Sequence, residues 1–140
     1  MIVLDTSGLL SAIDVSQRRH RAALAALRDA EPPWILSPLV LAELDYLLGT
    51  RVGVVAERTL LDEVGRGVYR LESFGADDVQ AAERVIGRYR DLGIGLADAS
   101  VIVLAARYGI RDLLTLDERH FRAMRGPGGR PFRILPSDAS

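Results

Sequence analysis

Five short strand-like runs, separated from one another by one or two helical segments, constrain the fold of this 140-residue sequence more than any other feature. The predicted strands are residues 2–4, 34–36, 68–71, 112–115 and 132–135. Strands that alternate with helices form a parallel sheet covered on both faces, with right-handed crossovers. We therefore predict the α/β fold class: a three-layer α/β/α sandwich with a central, mostly parallel sheet of four to five strands. A single domain spanning 1–140 accounts for every segment.

Composition excludes several classes of function. The chain has no cysteine, which removes disulfides, thiolate catalysis and thiolate metal sites, and it has no lysine, so all 18 basic side chains are arginine. A net charge of −1 predicts that any nucleic-acid site is local. The apolar runs are too short to cross a membrane and no signal segment is evident, so we expect a cytoplasmic protein without a membrane partner.

Two predicted strands end in the same way, with a hydroxyl and an acid. Residues 2–4 are followed by Asp5, Thr6 and Ser7, and residues 112–115 end in Thr115 before Asp117. Ligands of open α/β sheets bind beyond the carboxyl ends of the strands, where these acids would lie. For both acids, however, helix capping is an equally simple explanation.

Two further acids lie on predicted helices. Glu43 falls inside the apolar arc of residues 38–48, and we expect it to point inward, where it needs a partner. A buried salt bridge with an arginine is the alternative. Asp98 is the only ionisable residue between 96 and 106, in the first turn of an apolar helix that begins near Gly95, and we expect it to be buried with that helix. The helix dipole favours an anion there, so a structural role stays as open as a functional one.

If the strands before Asp5 and Asp117 are neighbours, all four acids can converge at one edge of the sheet. Four carboxylates close together could not all stay ionised without a compensating charge, because like charges raise one another's pKa. With oxygen ligands and neither cysteine nor paired histidine, the fitting cation is Mg²⁺ or Mn²⁺ and not zinc. Such a site typically polarises a phosphate and activates a water for in-line attack.

Four motifs, in this order and spacing, resemble those of PIN-domain ribonucleases, specifically the VapC-like toxins of type II toxin–antitoxin pairs. They are IVLDTSGLL at the start, SPLVLAEL around Glu43, GLADASVIVLAA around Asp98 and LLTLDERHF around Asp117. The resemblance covers essentially the whole chain. It implies that the four acids bind metal, with Thr115 and Thr6 as hydroxyl neighbours of the site.

The resemblance also implies an activity and partners. These are cleavage of single-stranded or looped RNA to leave a 3′-hydroxyl and a 5′-phosphate, a homodimer, and inhibition by a small cognate antitoxin protein. Arg119, His120 and Arg122 follow Asp117 directly and are candidate phosphate contacts. Their alternative role is a solvated helix face.

Two other functions remain open at this point. The acids alone cannot distinguish RNA from DNA, so a DNA-directed nuclease of the same fold is one alternative. A catalytically inert, PIN-like protein-binding module, with arginines holding the acids, is another. Phosphoaspartate phosphatases are excluded, because Ser7 stands where their second acid belongs and they require a lysine. No GxGxxG or Gly-Lys phosphate loop occurs.

Overall fold

The computed structural model describes residues 1–140 and contains a five-stranded sheet in which every strand pair is parallel. The strands are β1 (Ile2–Leu4), β2 (Trp34–Leu36), β3 (Arg70–Leu71), β4 (Asp112–Leu114) and β5 (Arg133–Leu135). The helices are α1 (Thr6–Ile13), α2 (His20–Asp29), α3 (Pro38–Arg51), α4 (Val54–Gly65), α5 (Ala76–Arg88), α6 (Leu96–Tyr108) and α7 (Glu118–Ala123). Short 3₁₀ turns occupy Arg90–Leu92 and Pro127–Gly129. The predicted α/β sandwich with a parallel central sheet is confirmed.

The strand order is β3-β2-β1-β4-β5, so the chain builds outward from β1 to β3 and then crosses back to place β4 beside β1. This reversal creates a crevice at the carboxyl ends of β1 and β4, where open α/β sheets bind ligands. The Asp5 amide continues the pairing by donating to the Leu114 carbonyl at 2.9 Å. The two strands are therefore neighbours, which is the condition for the four acids to converge at one edge of the sheet.

The core lies between the sheet and its helices. All three residues of β1 are completely buried, as expected for the central strand of a sheet covered on both faces. Helix α6 contacts β1, α3 and α5, and its residues Val101, Leu104 and Ala105 have no solvent exposure. None of the helices has both the length and the apolar composition needed to cross a bilayer.

Helix α1 approaches the sheet unusually closely at Gly8. A Cβ atom at this position would lie 2.3 Å from the Leu114 carbonyl oxygen and 2.7 Å from the Thr115 nitrogen. Because both of these are backbone atoms, no side-chain rearrangement could make room. The glycine therefore lets the first turn of α1 rest directly on the end of β4, and Ser7 and Thr115 come within 3.2 Å of each other through their hydroxyls.

The edge of the sheet at β3 is tied to α6 by one arginine. The Arg107 guanidinium donates to the Glu72 carboxylate at 3.0 Å and to the Ser73 carbonyl at 3.1 Å, and it lies 2.9 Å from Asp78 of α5. The Tyr108 hydroxyl donates to the same Glu72 carboxylate. This network lies toward the C-terminal end of α6, away from Asp98. It holds the segment that directly follows the two-residue strand β3.

Candidate metal centre

A cavity of about 330 Å³ lies at the carboxyl ends of β1 and β4. All four acids predicted from the sequence line it: Asp5, Glu43, Asp98 and Asp117. They come from four different segments, namely the ends of β1 and β4 and the helices α3 and α6. Convergence of the four carboxylates on one cavity is therefore what the fold produces.

Asp5 is the most enclosed of these acids, with 3% of its surface exposed. Its Oδ2 accepts hydrogen bonds from the Thr115 hydroxyl at 2.7 Å and from the Ser7 hydroxyl at 3.1 Å. Although Asp5 occupies the N-cap position of α1, its side chain makes no capping hydrogen bond. The helix-cap explanation of Asp5 is therefore wrong, and the carboxylate is oriented by hydroxyls within the cavity.

Burial raises the pKa of the Asp5 carboxyl to about 6, because the charged form loses its hydration. The hydrogen bond from Thr115 lowers this pKa, and the nearby Asp98 carboxylate raises it. Two hydroxyl donors therefore do not offset the combined effect of burial and a like charge. In the absence of a cation, Asp5 is held ionised at neutral pH at a cost in stability.

Thr115 and Ser7 form a hydroxyl pair that joins the two strand ends. Thr115 is fully buried, and besides donating to Asp5 it accepts from the Asp117 amide at 3.0 Å. Ser7 accepts from the Leu116 amide at 3.0 Å. Sequence reasoning selected Thr115 but gave Ser7 no role in the site, although its position two residues after Asp5 was the available signal.

We expect Thr115→Val to destabilise the protein by about 1–3 kcal/mol, because an almost isosteric change removes a hydroxyl and leaves the buried Asp5 carboxylate and the Asp117 amide each one partner short. Urea unfolding monitored by circular dichroism measures the effect. Thr59→Val on the exposed face of α4 is the matched control and should change stability by less than about 0.5 kcal/mol. Equal effects at the two positions would contradict a structural role of the Thr115 hydroxyl.

The tightest group of potential ligands consists of Asp98, Asp117 and His120, whose ligand atoms lie within 4.8 Å of one another. His120 Nδ1 is 2.8 Å from Asp117 Oδ2 and 3.8 Å from Asp98 Oδ2, but it makes no hydrogen bond of acceptable geometry. Asp117 also caps α7, because its Oδ1 accepts from the His120 amide at 3.1 Å. Asp117 therefore both caps α7 and lines the acidic cavity.

Asp98 lies in the first turn of α6, which begins after Gly95 as predicted. Its side chain is about a quarter exposed rather than fully buried. Burial raises the pKa of the Asp98 carboxyl, and so do the charges of Asp117 and Glu43, whereas His120 lowers it. The raised pKa of Asp98 indicates that the negative charges around this carboxyl are not balanced by nearby positive charge.

The prediction that Glu43 is buried is wrong. Helix α3 buries the row formed by Val40, Leu44 and Leu48, and Glu43 lies on the adjacent row, exposed at the mouth of the cavity. A broad apolar arc in the sequence could not show which of two neighbouring rows faces the core. No arginine forms a salt bridge with Glu43 or with the other three acids, so the salt-bridge alternative fails as well.

A buried pair of serines links the two helices that carry Glu43 and Asp98. The Ser37 hydroxyl caps α3 by accepting from the Leu39 amide at 3.1 Å, and it lies 2.7 Å from the Ser100 hydroxyl of α6. Ser100 in turn donates to the Ala97 carbonyl at 2.6 Å, so the Ser37 hydroxyl donates to Ser100. A capping serine followed by a proline at the first helical position is a local sequence signal, whereas the contact of Ser37 with Ser100 depends on the fold.

The sequence matches a known protein family. The family model of the PIN domain matches residues 2–127, which is most of the chain. The chain belongs to the PIN-domain family. This PIN domain is 43% identical over 135 residues to ribonuclease VapC26 of Mycobacterium tuberculosis, an alignment that covers 96% of this chain and 100% of VapC26.

Solved structures agree with the assignment. The PIN domain superimposes on VapC20 of Mycobacterium tuberculosis, a sarcin–ricin loop cleaving toxin, with a TM-score of 0.78 and 25% identity over 84% of this chain and 90% of that one. It also matches the structure of VapBC2 from Rickettsia felis bound to a promoter DNA fragment, with a TM-score of 0.66 and 20% identity over 96% and 98% of the two chains. At 20% identity, the similarity to VapBC2 shows a shared fold alone.

The donor set of this PIN domain fits a hard divalent cation. The cavity offers carboxylate oxygens, and the one imidazole, His120, stands beside two of them. Carboxylates whose pKa values are raised by burial and by one another are also the groups that a bound cation would stabilise most. Ligand atoms of Asp98 and Asp117 lie within 4.8 Å of each other, and Asp5 and Glu43 line the same cavity.

The predicted substrate contacts are dispersed. Thr6 lines the cavity and is 5% exposed, and its hydroxyl has no hydrogen-bond partner. His120 faces the acids. Arg119 and Arg122 do not line the cavity, and Arg122 is held by Glu118 and Asp138, each at 2.7–2.8 Å. The structure therefore brings Thr6 and His120 to the site and leaves the two arginines outside it.

Proposed function

We propose that this PIN domain is a divalent-metal-dependent endoribonuclease of the VapC type, which uses Mg²⁺ or Mn²⁺ to hydrolyse RNA phosphodiester bonds. The observation that carries the proposal is the convergence of Asp5, Glu43, Asp98 and Asp117 on one cavity in a chain 43% identical to a VapC ribonuclease. Residues 1–140 would act as a single nuclease domain.

Each part of the site has a role in this proposal. A cation bound by the acids supplies the positive charge that polarises the phosphate and makes water a better nucleophile at neutral pH. The Ser7 and Thr115 hydroxyls hold the Asp5 carboxylate in one orientation, and the Asp117 amide is anchored to Thr115. Thr6, which also lines the cavity, would be a further hydroxyl neighbour of the substrate.

We further propose that the chain is the toxin of a toxin–antitoxin pair, in the cytoplasm, where it forms a homodimer and a hetero-oligomer with a cognate antitoxin protein. The likeness to VapC20 and to the VapBC2 structure supports this assignment and supports a looped RNA as substrate. Four large apolar side chains that are 60–80% exposed, Val15, Tyr46, Val54 and Val55, leave apolar surface for a protein partner to cover.

Purified, antitoxin-free protein is expected to cleave a structured RNA pool with Mg²⁺ or Mn²⁺, to stop when EDTA is added and to resume when the cation is restored. Asp98→Asn should remove the activity, because it takes away the charge of one carboxylate in the group formed by Asp98, Asp117 and His120. Denaturing gels and mapping of RNA 5′ ends provide the measurement. A single-stranded DNA of the same sequence is the control substrate for the alternative DNA-directed nuclease.

Activity that survives both EDTA and Asp98→Asn would contradict the proposal, and so would exclusive cleavage of the DNA. The inert-module alternative predicts no cleavage and no cation binding by calorimetry. Its structural premise was that arginines hold the acids, and none of the four acids has an arginine partner.

A further inference from the structure

One basic side chain, Arg51, lines the acidic cavity. It is exposed, it stands at the last residue of α3, and no carboxylate lies within salt-bridge distance of it. Arg51 is therefore a free cation on the wall of a negatively charged site.

The periodicity of α3 separates Arg51 from the acids in a defined way. Glu43, Leu47 and Arg51 follow one another at intervals of four residues, and all three line the cavity. Eight residues of α helix correspond to about 12 Å along the axis. The apolar Leu47 lies between the two charged positions, so the helix presents an acid near the metal centre and a cation farther along the same wall.

The cavity lining also includes a neutral polar group. Gln17 lines the cavity from the turn before α2, and its amide nitrogen donates to Asp14 at 3.2 Å. Asp14 also accepts from the amide and the hydroxyl of Ser16, which fixes this turn. Gln17 is thus held by its own turn and carries no charge, so Arg51 remains the one cationic side chain of the lining.

The other arginines considered for the substrate cannot replace Arg51. Arg122 is engaged by Glu118 and Asp138, and Arg119 does not line the cavity. A nucleic-acid strand that enters a cavity with four carboxylates meets repulsion at every phosphate except the one beside a bound cation. A second positive group is therefore needed for the neighbouring part of the strand.

We propose that Arg51 binds a backbone phosphate of the RNA that is adjacent along the strand to the phosphate being cut, and that it sets substrate affinity and register. This inference rests on the proposed ribonuclease function. A guanidinium makes bidentate hydrogen bonds to phosphate, so this contact fixes both the position and the orientation of the strand. It carries no base specificity, because the phosphate is common to all nucleotides.

The kinetic test compares Arg51→Ala, Arg51→Lys and the matched control Arg84→Ala, which removes an exposed, unpaired arginine from α5. On a short RNA containing the mapped cleavage site, Arg51→Ala is expected to raise KM about 10-fold with kcat nearly unchanged. The slope of log(kcat/KM) against log[salt] should become shallower by about 0.7, the value for one single-strand phosphate contact. Arg51→Lys should retain this slope, and Arg84→Ala should match the unmodified protein.

A second readout does not require cleavage. Anisotropy of an unstructured, labelled 20-nucleotide RNA measures binding in the Asp98→Asn background, where Arg51→Ala should weaken affinity and reduce the salt slope. Substituting single phosphates by neutral methylphosphonates should identify one linkage that weakens binding only when Arg51 is present. If Arg51→Ala and Arg84→Ala behave alike in binding and in KM, the inference is overturned while RNA cleavage by the unmodified protein still stands. If that protein binds RNA but cuts none, the proposed function fails and the binding data alone decide on Arg51.

Discussion

Asp5→Asn is expected to lower the rate of metal-dependent RNA cleavage about 10³-fold and, at the same time, to make the metal-free protein more stable at neutral pH. Activity is lost because a neutral amide contributes no negative charge to the cation site. A bound cation would stabilise the charge that develops in the transition state by several kcal/mol. Folding should be preserved, because the amide oxygen can still accept the hydrogen bonds from Ser7 and Thr115.

The gain in stability follows from the pKa of Asp5, which burial raises from 3.8 to about 6. A carboxyl with a raised pKa binds its proton more tightly in the folded state than in the unfolded chain. Its destabilising effect is therefore absent below about pH 3.8, develops between pH 3.8 and 6, and is complete above about pH 6. The shift corresponds to about 3 kcal/mol at pH 7.5, an upper value for what Asp5→Asn recovers.

Urea unfolding in EDTA at pH 5 and at pH 7.5 measures this effect as the difference between Asp5→Asn and the unmodified protein. Asp77→Asn, which neutralises an exposed acid in the first turn of α5, is the matched control. It should lower stability by less than about 1 kcal/mol at pH 7.5, because only the helix dipole is involved, and it should leave cleavage unchanged. Added Mg²⁺ should stabilise the unmodified protein more than Asp5→Asn, because only the folded state holds the assembled ligands. An Asp5→Asn protein that is less stable than the unmodified one at pH 7.5 would contradict the role assigned to burial.

Gly8→Ala is expected to destabilise the protein by about 2–3 kcal/mol and to reduce RNA cleavage. The added Cβ would lie 2.3 Å from the Leu114 carbonyl oxygen, so α1 must move away from β4. This movement opposes the gain of about 1 kcal/mol that alanine ordinarily brings to a helix interior. It would also separate the Ser7 hydroxyl from the Leu116 amide and from Thr115, which together orient Asp5.

Gly87→Ala is the matched control, because Gly87 lies inside α5, is exposed, and has no atom within 4 Å of the position of its Cβ. The same substitution should stabilise the protein by about 0.5–1 kcal/mol there. Thermal or urea unfolding of both variants should therefore give changes of opposite sign. Equal changes would mean that the close approach of α1 to β4 does not limit the packing at Gly8.

The sheet and the set of acids were predictable because they depend on local patterns. Strands in a fully covered parallel sheet are largely apolar, so β1 and the last two residues of β4 stand out, and a hydroxyl and an acid follow each of them. Helix α6 was predictable because Asp98 is its only acid in a long apolar segment. Strand β3 was predicted at 68–71 and is limited to Arg70–Leu71, because only these residues pair with β2.

Errors arose where two interpretations share one local pattern. Glu43 was predicted inside the core of α3, but the broad apolar arc of that helix contains both the buried row and the row that faces the cavity. Asp5 was a plausible helix cap, but its side chain is instead bound by Thr115, which is 110 residues away. For Asp5 a partner distant in sequence decides the orientation of the acid, whereas for Glu43 the packing of α3 decides which row of the helix faces the core.

By itself, then, the sequence determined the fold class, the four acids and the absence of thiol and lysine chemistry, since these depend on composition and on periods of two to four residues. Only the tertiary structure decided which side chains support the site. Ser7 acquires its role from contacts with Thr115 and Leu116, Gly8 from the carbonyl of Leu114, and Arg51 from its place on the cavity wall. The physical reason is that hydrogen bonds, close packing and unpaired charge depend on neighbours that the strand order β3-β2-β1-β4-β5 brings together.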